Sequence, residues 1–259
     1  MRDSWDARID RAKTLAEQDE STRPLMLVYG DLLGLQRESF DILWQRATRL
    51  SGSLAHDMSV VKSCAATMVG AVARIGPPLL AEQARRWAAQ DESALSSMLY
   101  SAWRIPGTRQ FFGRLVLQPY AQCLALAGVP PVDREMTLAE NLCPFCGGAP
   151  QVSILRGGSH TDGARHLECA TCSTTWLFRR VRCAACGETE ARRIGYYQSP
   201  SFDHMRVDTC DSCNHYLKSI DLGAAESAVP MVDEVAGAQL DAWARDHGYQ
   251  KIEPNIVEL

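Results

Sequence analysis

Between positions 24 and 50 the apolar residues Leu25, Val28, Leu32, Leu35, Leu43, Ala47 and Leu50 recur at steps of three and four and their multiples. That spacing gives one buried face of a long helix, with Pro24 suited to its first turn. Gly30 and Gly34 weaken it, each by about 1 kcal/mol relative to Ala. Further helices are predicted over 5–19, over 59–75 with a stop at Gly76-Pro77-Pro78, over 79–90, and over 93–103 with a break at Pro106-Gly107. The stretch 109–127 is strongly apolar, with Phe111, Phe112, Leu115, Val116 and Leu124. Pro119 is expected to kink it, because proline has no amide hydrogen to donate.

The pattern changes at about residue 141. From there to about 221 the chain is rich in Cys, Gly, Thr and Arg, and β-type runs occur at 152–155, 174–178 and 193–197. From Leu222 onward one short helix is predicted over 232–247, carrying Val235, Leu240 and Trp243 and closed by Gly248, followed by an extended tail. The predicted fold is therefore α+β. A helical domain spans 1–140, two tandem β-rich units span 141–181 and 182–221, and a C-terminal helix and tail span 222–259.

With 259 residues, 46% of them apolar, the chain has enough material for one large or two ordinary domains. The net charge of −4 is unevenly spread: 1–140 is balanced, 141–220 is weakly positive and 221–259 is acidic. That distribution is a poor footprint for nucleic acid. No uninterrupted apolar run approaches the roughly 20 residues of a membrane helix, so no membrane insertion is expected. Met1 is followed by charged residues without an apolar h-region, so a signal peptide is not expected either. The expected compartment is the cytoplasm, where thiols stay reduced.

The chemistry lies in the cysteines. Eight of the ten form Cys-x-x-Cys pairs: Cys143/Cys146, Cys169/Cys172, Cys183/Cys186 and Cys210/Cys213. Cys143 to Cys183 is 40 residues and Cys169 to Cys210 is 41, so the region reads as a duplicated unit. Gly147 and Gly187 follow the first pair of each unit, and the aromatics Trp176 and Tyr216 follow the second pairs. Two Cys-x-x-Cys turns supply a closed tetrahedral four-sulfur shell for zinc or iron. A unit of about 40 residues has little core of its own, so metal would contribute much of its folding energy. The repeat favours sequential pairing, first turn with second and third with fourth; crossed pairing stays open. Cys64 and Cys123 read as buried inert thiols, and His166 and His215 as solvent-facing neighbours of the knuckles. Arg179, Arg180, Arg182, Arg192 and Arg193 cluster near the third knuckle and read as a solvated face. No phosphate-binding loop, dinucleotide fingerprint or nucleophile elbow is present, and no catalytic residue is assigned.

The order of these parts resembles the formate dehydrogenase accessory protein family, FdhE. The resemblance is carried by Cys143-Pro144-Phe145-Cys146-Gly147, by Cys169 and Cys172 with Trp176, by Arg182-Cys183 and Cys186-Gly187, by Cys210 and Cys213 through Asp221, by the helix around Leu25 to Gln36, and by Leu240, Trp243, Gly248, Pro254 and Asn255. It implies a cytoplasmic maturation factor with two rubredoxin-like units, able to bind iron, with zinc as the alternative. It implies association with the catalytic subunit of a respiratory formate dehydrogenase and no dehydrogenase activity of its own. Only the eight knuckle cysteines carry over as site residues. Two other readings are a zinc-ribbon nucleic-acid-binding protein and an iron-loaded redox carrier.

Overall fold

The structure is a computed structural model, and it describes residues 2–104, 110–134, 136, 139–156 and 164–257. The chain divides into two compact units, Met1–Thr137 with Phe145–Gly147, and Leu138–Pro144 with Gly148–Leu259.

The first unit is helical: α1 (Arg2–Gln18), α2 (Arg23–Trp44), α3 (Leu54–Ile75), α4 (Pro78–Ala88), α5 (Glu92–Arg104) and α6 (Phe111–Ala127). The expected break at Pro106-Gly107 and the expected helix start at Arg109 lie outside the described residues. α2 stops at Trp44, short of the expected 50, and a 3-10 turn follows over Ala47–Arg49. The chain then turns extended at Leu50 so that the amide and hydroxyl of Ser51 reach the carboxylate of Asp57.

Pro119 sits inside α6 and cannot donate to the carbonyl four residues earlier, that of Leu115. Gln36 of α2 supplies the missing donor: its side-chain amide donates to Leu115 O at 3.1 Å and to Gln118 Oε1 at 2.8 Å. The N-terminus of α3 is capped from a distance, since Leu54 N donates to Asp133 Oδ2 at 2.6 Å. Asp133 also accepts from the indole of the buried Trp103 at 2.7 Å, and a carboxylate is favoured at that helix end. α3 is the described helix long and apolar enough to cross a membrane by length and composition alone. Its Val61, Cys64, Met68 and Val72 are buried in the core of the helical unit, and a core helix passes the same test.

The second unit is built on one sheet: β1 (Pro150–Arg156), β2 (Ala164–Cys169), β3 (Thr175–Phe178), β4 (Ile194–Gln198), β5 (Met205–Cys210), β6 (His215–Asp221) and β7 (Gln250–Lys251). Its order is β3-β2-β1-β6-β5-β4, with β7 beside the start of β6. Each half is an antiparallel meander. The halves are joined by β1 running parallel to β6, with Ser153 opposite Ser219 and Ile154 opposite Ile220. The first strand of one copy thus lies beside the last strand of the other. The repeat is propagated by translation within a single sheet.

One face carries Val152, Met205, Val207, Tyr216 and Ile220 and is covered by α7 (Pro230–Ala236) and α8 (Ala238–Asp246). The single C-terminal helix expected over 232–247 is split at Gly237. The Gly237 carbonyl accepts from Lys218 Nζ at 3.2 Å, and a side chain there would press on Met205 Sδ. The other face holds Leu167, Phe178, Ala184 and Leu217. It also holds a polar line across the junction: Arg165 of β2 donates to Ser153 Oγ of β1 at 2.8 Å and pairs with Asp208 of β5 at 3.1 Å. Ser219 of β6 donates to Asp208 at 2.8 Å.

Beneath α7 and α8 lies a fully buried charge cluster. Lys218 pairs with Glu234 at 3.0 Å and with Asp241 at 2.6 Å; Lys251 pairs with Asp241 at 3.0 Å and also with Glu234. Gln151 and Asn255 donate to the remaining oxygen of Glu234, and Tyr216 donates to the Asp241 oxygen that Lys251 pairs with. Burial pushes the Glu234 carboxyl up, but Lys218 and Lys251 overcome this and hold it down at about 2.

Two outcomes follow from these contacts. Gln36→Ala should lower the stability of the helical unit by about 1–3 kcal/mol, because it leaves a buried carbonyl without a donor; an unchanged urea midpoint would contradict the account of Pro119. Lys218→Met should cost the sheet unit about 3–5 kcal/mol by leaving buried carboxylates under-compensated. Because the Glu234 carboxyl is held down on folding, its contribution is full above 4.5 and is lost as the pH falls toward about 2. Glu234→Gln should flatten that part of the stability profile, measured by urea denaturation at each pH.

Candidate metal centres

Both halves build their knuckles the same way. The first Cys-x-x-Cys turn of each precedes a strand, β1 or β4, and the second is the turn of a hairpin, β2–β3 or β5–β6. Cys169 and Cys210 are the last residues of β2 and β5, so the sheet fixes where these turns begin. The amides of Cys143 and Cys183 donate to the carbonyls of Gly148 and Glu188 at 2.9 and 2.8 Å, closing the first turn of each half.

The residue after every second cysteine is left-handed: Gly147 at φ 70°, Ser173 at 55°, Gly187 at 79° and Asn214 at 56°. Gly147 and Gly187 were legible because glycine takes this conformation at no cost. Ser173 and Asn214 were missed. Asparagine is enriched in this region, so Asn214 carried a usable signal; Ser173 carried little. The two hairpin turns have the same length, but Trp176 comes four residues after Cys172 and Tyr216 only three after Cys213. Trp176 stands opposite Leu167, whereas Tyr216 stands opposite Thr209, and Leu217 stands opposite Asp208. Leu217 therefore occupies the place of Trp176, and Tyr216 faces the helix-covered side with its hydroxyl on Asp241.

The eight sulfurs converge in two sets of four, Cys143, Cys146, Cys169 and Cys172, and Cys183, Cys186, Cys210 and Cys213, with all atoms of a set within 4.8 Å of one another. This is the sequential pairing. The separations Cys143–Cys172, Cys183–Cys213 and Cys186–Cys210 are 3.6, 3.7 and 3.8 Å. Four thiolates about 2.3 Å from a tetrahedral ion lie roughly 3.8 Å apart, so the donor set fits zinc or iron. Backbone amides point at the sulfurs: Thr171 N to Cys169 Sγ at 3.4 Å and Ala185 N to Cys183 Sγ at 3.3 Å. Thr174 Oγ1 lies 3.1 Å from Cys172 Sγ. Such donors spread the negative charge of a bound thiolate.

The sets differ in exposure. All four sulfurs of the first are buried, while Cys186 is exposed and Cys213 is half-buried in the second. Among the described residues, neither His166 nor His215 joins a set; His215 Nδ1 lies 2.8 Å from the Cys213 carbonyl. Cys64 and Cys123 are buried in the helical unit, and burial raises both thiols, Cys123 to about 12. The arginines are largely engaged: Arg182 with Glu140, and Arg192 and Arg193 with Glu190. The carbonyls of Arg179, Arg180 and Arg182 all receive the Arg165 guanidinium.

A helical unit followed by a sheet carrying two matched four-cysteine clusters defines a two-part knuckle protein, with the clusters as its candidate metal sites. Comparison with known proteins narrows the class. Residues 142–180 match the central domain of FdhE and residues 181–257 its C-terminal domain. The 142–257 segment thus belongs to the FdhE family. It is 39% identical over 118 residues to a protein FdhE homolog of Aquifex aeolicus, covering 46% of this chain and 42% of that protein. It is 30% identical over 182 residues to one of Cronobacter sakazakii, covering 68% and 57%. The matches thus span about half the length of these relatives. The crystal structure of FdhE from Pseudomonas aeruginosa shares the fold, with a TM-score of 0.74 at 23% identity over 100% of this chain and 96% of that one.

The difference in burial has a measurable consequence. Metal-loaded protein challenged with a chelator should release its metal in two phases, the faster from the cluster of Cys186 and Cys213. Cys186→Ser should remove the faster phase and leave the slower one intact. Release in a single phase would show that the two sites are equivalent.

Proposed function

We propose that this chain is an accessory factor in the maturation of a respiratory formate dehydrogenase, working in the cytoplasm and binding the catalytic subunit of that enzyme. Cys143, Cys146, Cys169 and Cys172 hold one metal ion, and Cys183, Cys186, Cys210 and Cys213 hold the other. Iron in a rubredoxin-like shell is the first reading and zinc the second. When bound, iron supplies a one-electron couple, whereas zinc supplies cross-linking alone. The observation that carries the reading is the pair of four-sulfur clusters held on segments that match the FdhE central and C-terminal domains.

The protein acts here as a scaffold and not as a catalyst. Its buried ionisable groups, Lys218, Lys251, Glu234 and Asp241, are bound to one another. The knuckle turns are anchored to strand ends, so a bound metal would fix their outer surface as a rigid contact for the client. Nucleic-acid binding is disfavoured because Arg182, Arg192 and Arg193 are paired with carboxylates.

A deletion strain should lose most of its respiratory formate dehydrogenase activity. The wild-type gene should restore it, and a Cys143→Ser/Cys169→Ser double variant should restore less than about a tenth. Full activity in the deletion strain would reject the reading. Elemental analysis and a visible spectrum of protein purified without oxygen decide the metal: iron with thiolate charge-transfer bands supports the first reading, and colourless zinc protein the second.

A further inference from the structure

β4 ends the sheet. It pairs with β5 on one side, and among the described residues no strand lies against its other edge. An open edge offers backbone donors and acceptors to another extended chain, and proteins commonly blunt such edges with lysine or proline. β4 has neither. Its sequence is Ile194-Gly195-Tyr196-Tyr197-Gln198, with each tyrosine 43% exposed.

A cavity lies against each face of this strand. On the helix-covered face, Tyr197 packs on Trp243 of α8 with ring centroids 4.7 Å apart. The adjoining cavity of about 430 Å³ is lined by Phe202, Val207 and Leu240 among others. On the opposite face, the Arg206 guanidinium lies 4.5 Å from the centre of the Tyr196 ring. The cavity there, about 240 Å³, is lined by Arg180, His204, Arg206 and Asp221 among others. Successive residues of a strand point to opposite faces, so a strand added to β4 would send alternate side chains toward the two cavities.

The first cavity is aromatic and apolar. In the lining of the second, two guanidiniums, Arg180 and Arg206, stand against the carboxylate of Asp221, while His204 is held by Asp203 and Asp233. Arg165 and Arg206 share Asp208, and at the start of β4 Arg192 and Arg193 share Glu190. Asp221, the carboxylate in the lining, already accepts from the amide of Gly223 at 2.8 Å.

We propose that the outer edge of β4 captures an extended segment of the client protein in which apolar and acidic side chains alternate. Main-chain hydrogen bonds to β4 provide the attachment. The apolar side chains enter beside Tyr197 and Trp243, and the carboxylates face Arg206 and Arg180. This rests on the accessory-factor reading above and names where the client enters.

The test uses the full metal-loaded chain and the catalytic subunit of the formate dehydrogenase. Hydrogen exchange should show residues 194–198 becoming protected in the complex. Gln198→Pro, which removes an edge amide, should weaken binding about tenfold or more. Tyr197→Asp leaves the backbone amides in place and should weaken binding similarly by setting a charge where the apolar side chains enter. Both variants are first matched to wild type in metal content and circular dichroism. Protection elsewhere, with both variants binding as wild type, overturns the proposal and leaves the accessory-factor reading standing. Protection of 194–198 in a dimer of the protein alone also overturns it, since a second copy would then occupy the edge. If the catalytic subunit does not bind wild-type protein at all, both readings fall.

Discussion

The parallel pairing of β1 with β6 carries the C-terminal half of this protein. Without it the two knuckle halves would be small meanders, each with little apolar material. With it they become one sheet with two usable faces. The pairing is reinforced by side chains that cross it. Arg165 reaches from β2 over Ser153 of β1 to Asp208 of β5, and Ser219 of β6 donates to the same carboxylate. An ion pair at this depth is costly to desolvate and tolerable only when its remaining donors are satisfied. The Arg165 guanidinium meets that condition by donating to three backbone carbonyls, which pins the 179–182 segment linking the two halves.

The opposite face repeats the solution with other groups. Lys218 projects from β6 into the space under α7 and α8, where Glu234 and Asp241 await it, and Lys251 of the last strand completes the cluster. A hydrophobic contact would tolerate some sliding of these short helices. A set of buried charges tolerates much less, because every displaced partner leaves an uncompensated ion. The four-cysteine clusters therefore sit at the ends of strands held in register from both faces.

Translation of the repeat also explains why its two copies are not equivalent. A closed two-fold arrangement would give both copies the same surroundings. Translation buries one side of each copy against a different neighbour and leaves β3 and β4 as unlike outer edges. The clusters share that asymmetry: one is wholly buried, and the other presents Cys186 to solvent. Duplication supplied two similar sites, and the sheet made them different.

The eight cysteines, their grouping into a duplicated unit and the run of N-terminal helices were legible in the chain because their signals are local. A Cys-x-x-Cys turn is four residues long, and an amphipathic helix shows its period within about three turns. The strands β2, β5 and β6 left no such mark. Arg165, Asp208, Lys218 and Ser219 are polar or charged yet buried, since each is satisfied by a partner on another element. The same holds for Gln36, whose role beside Pro119 depends on a helix about eighty residues further along. Sequence by itself determined the sulfur donors and the α+β order of parts, because short-range spacing encodes both. Only the tertiary structure decided the sequential grouping of the sulfurs, the single shared sheet and the unequal exposure of its two clusters. Those depend on which strands meet, and long-range charge pairing and packing settle that.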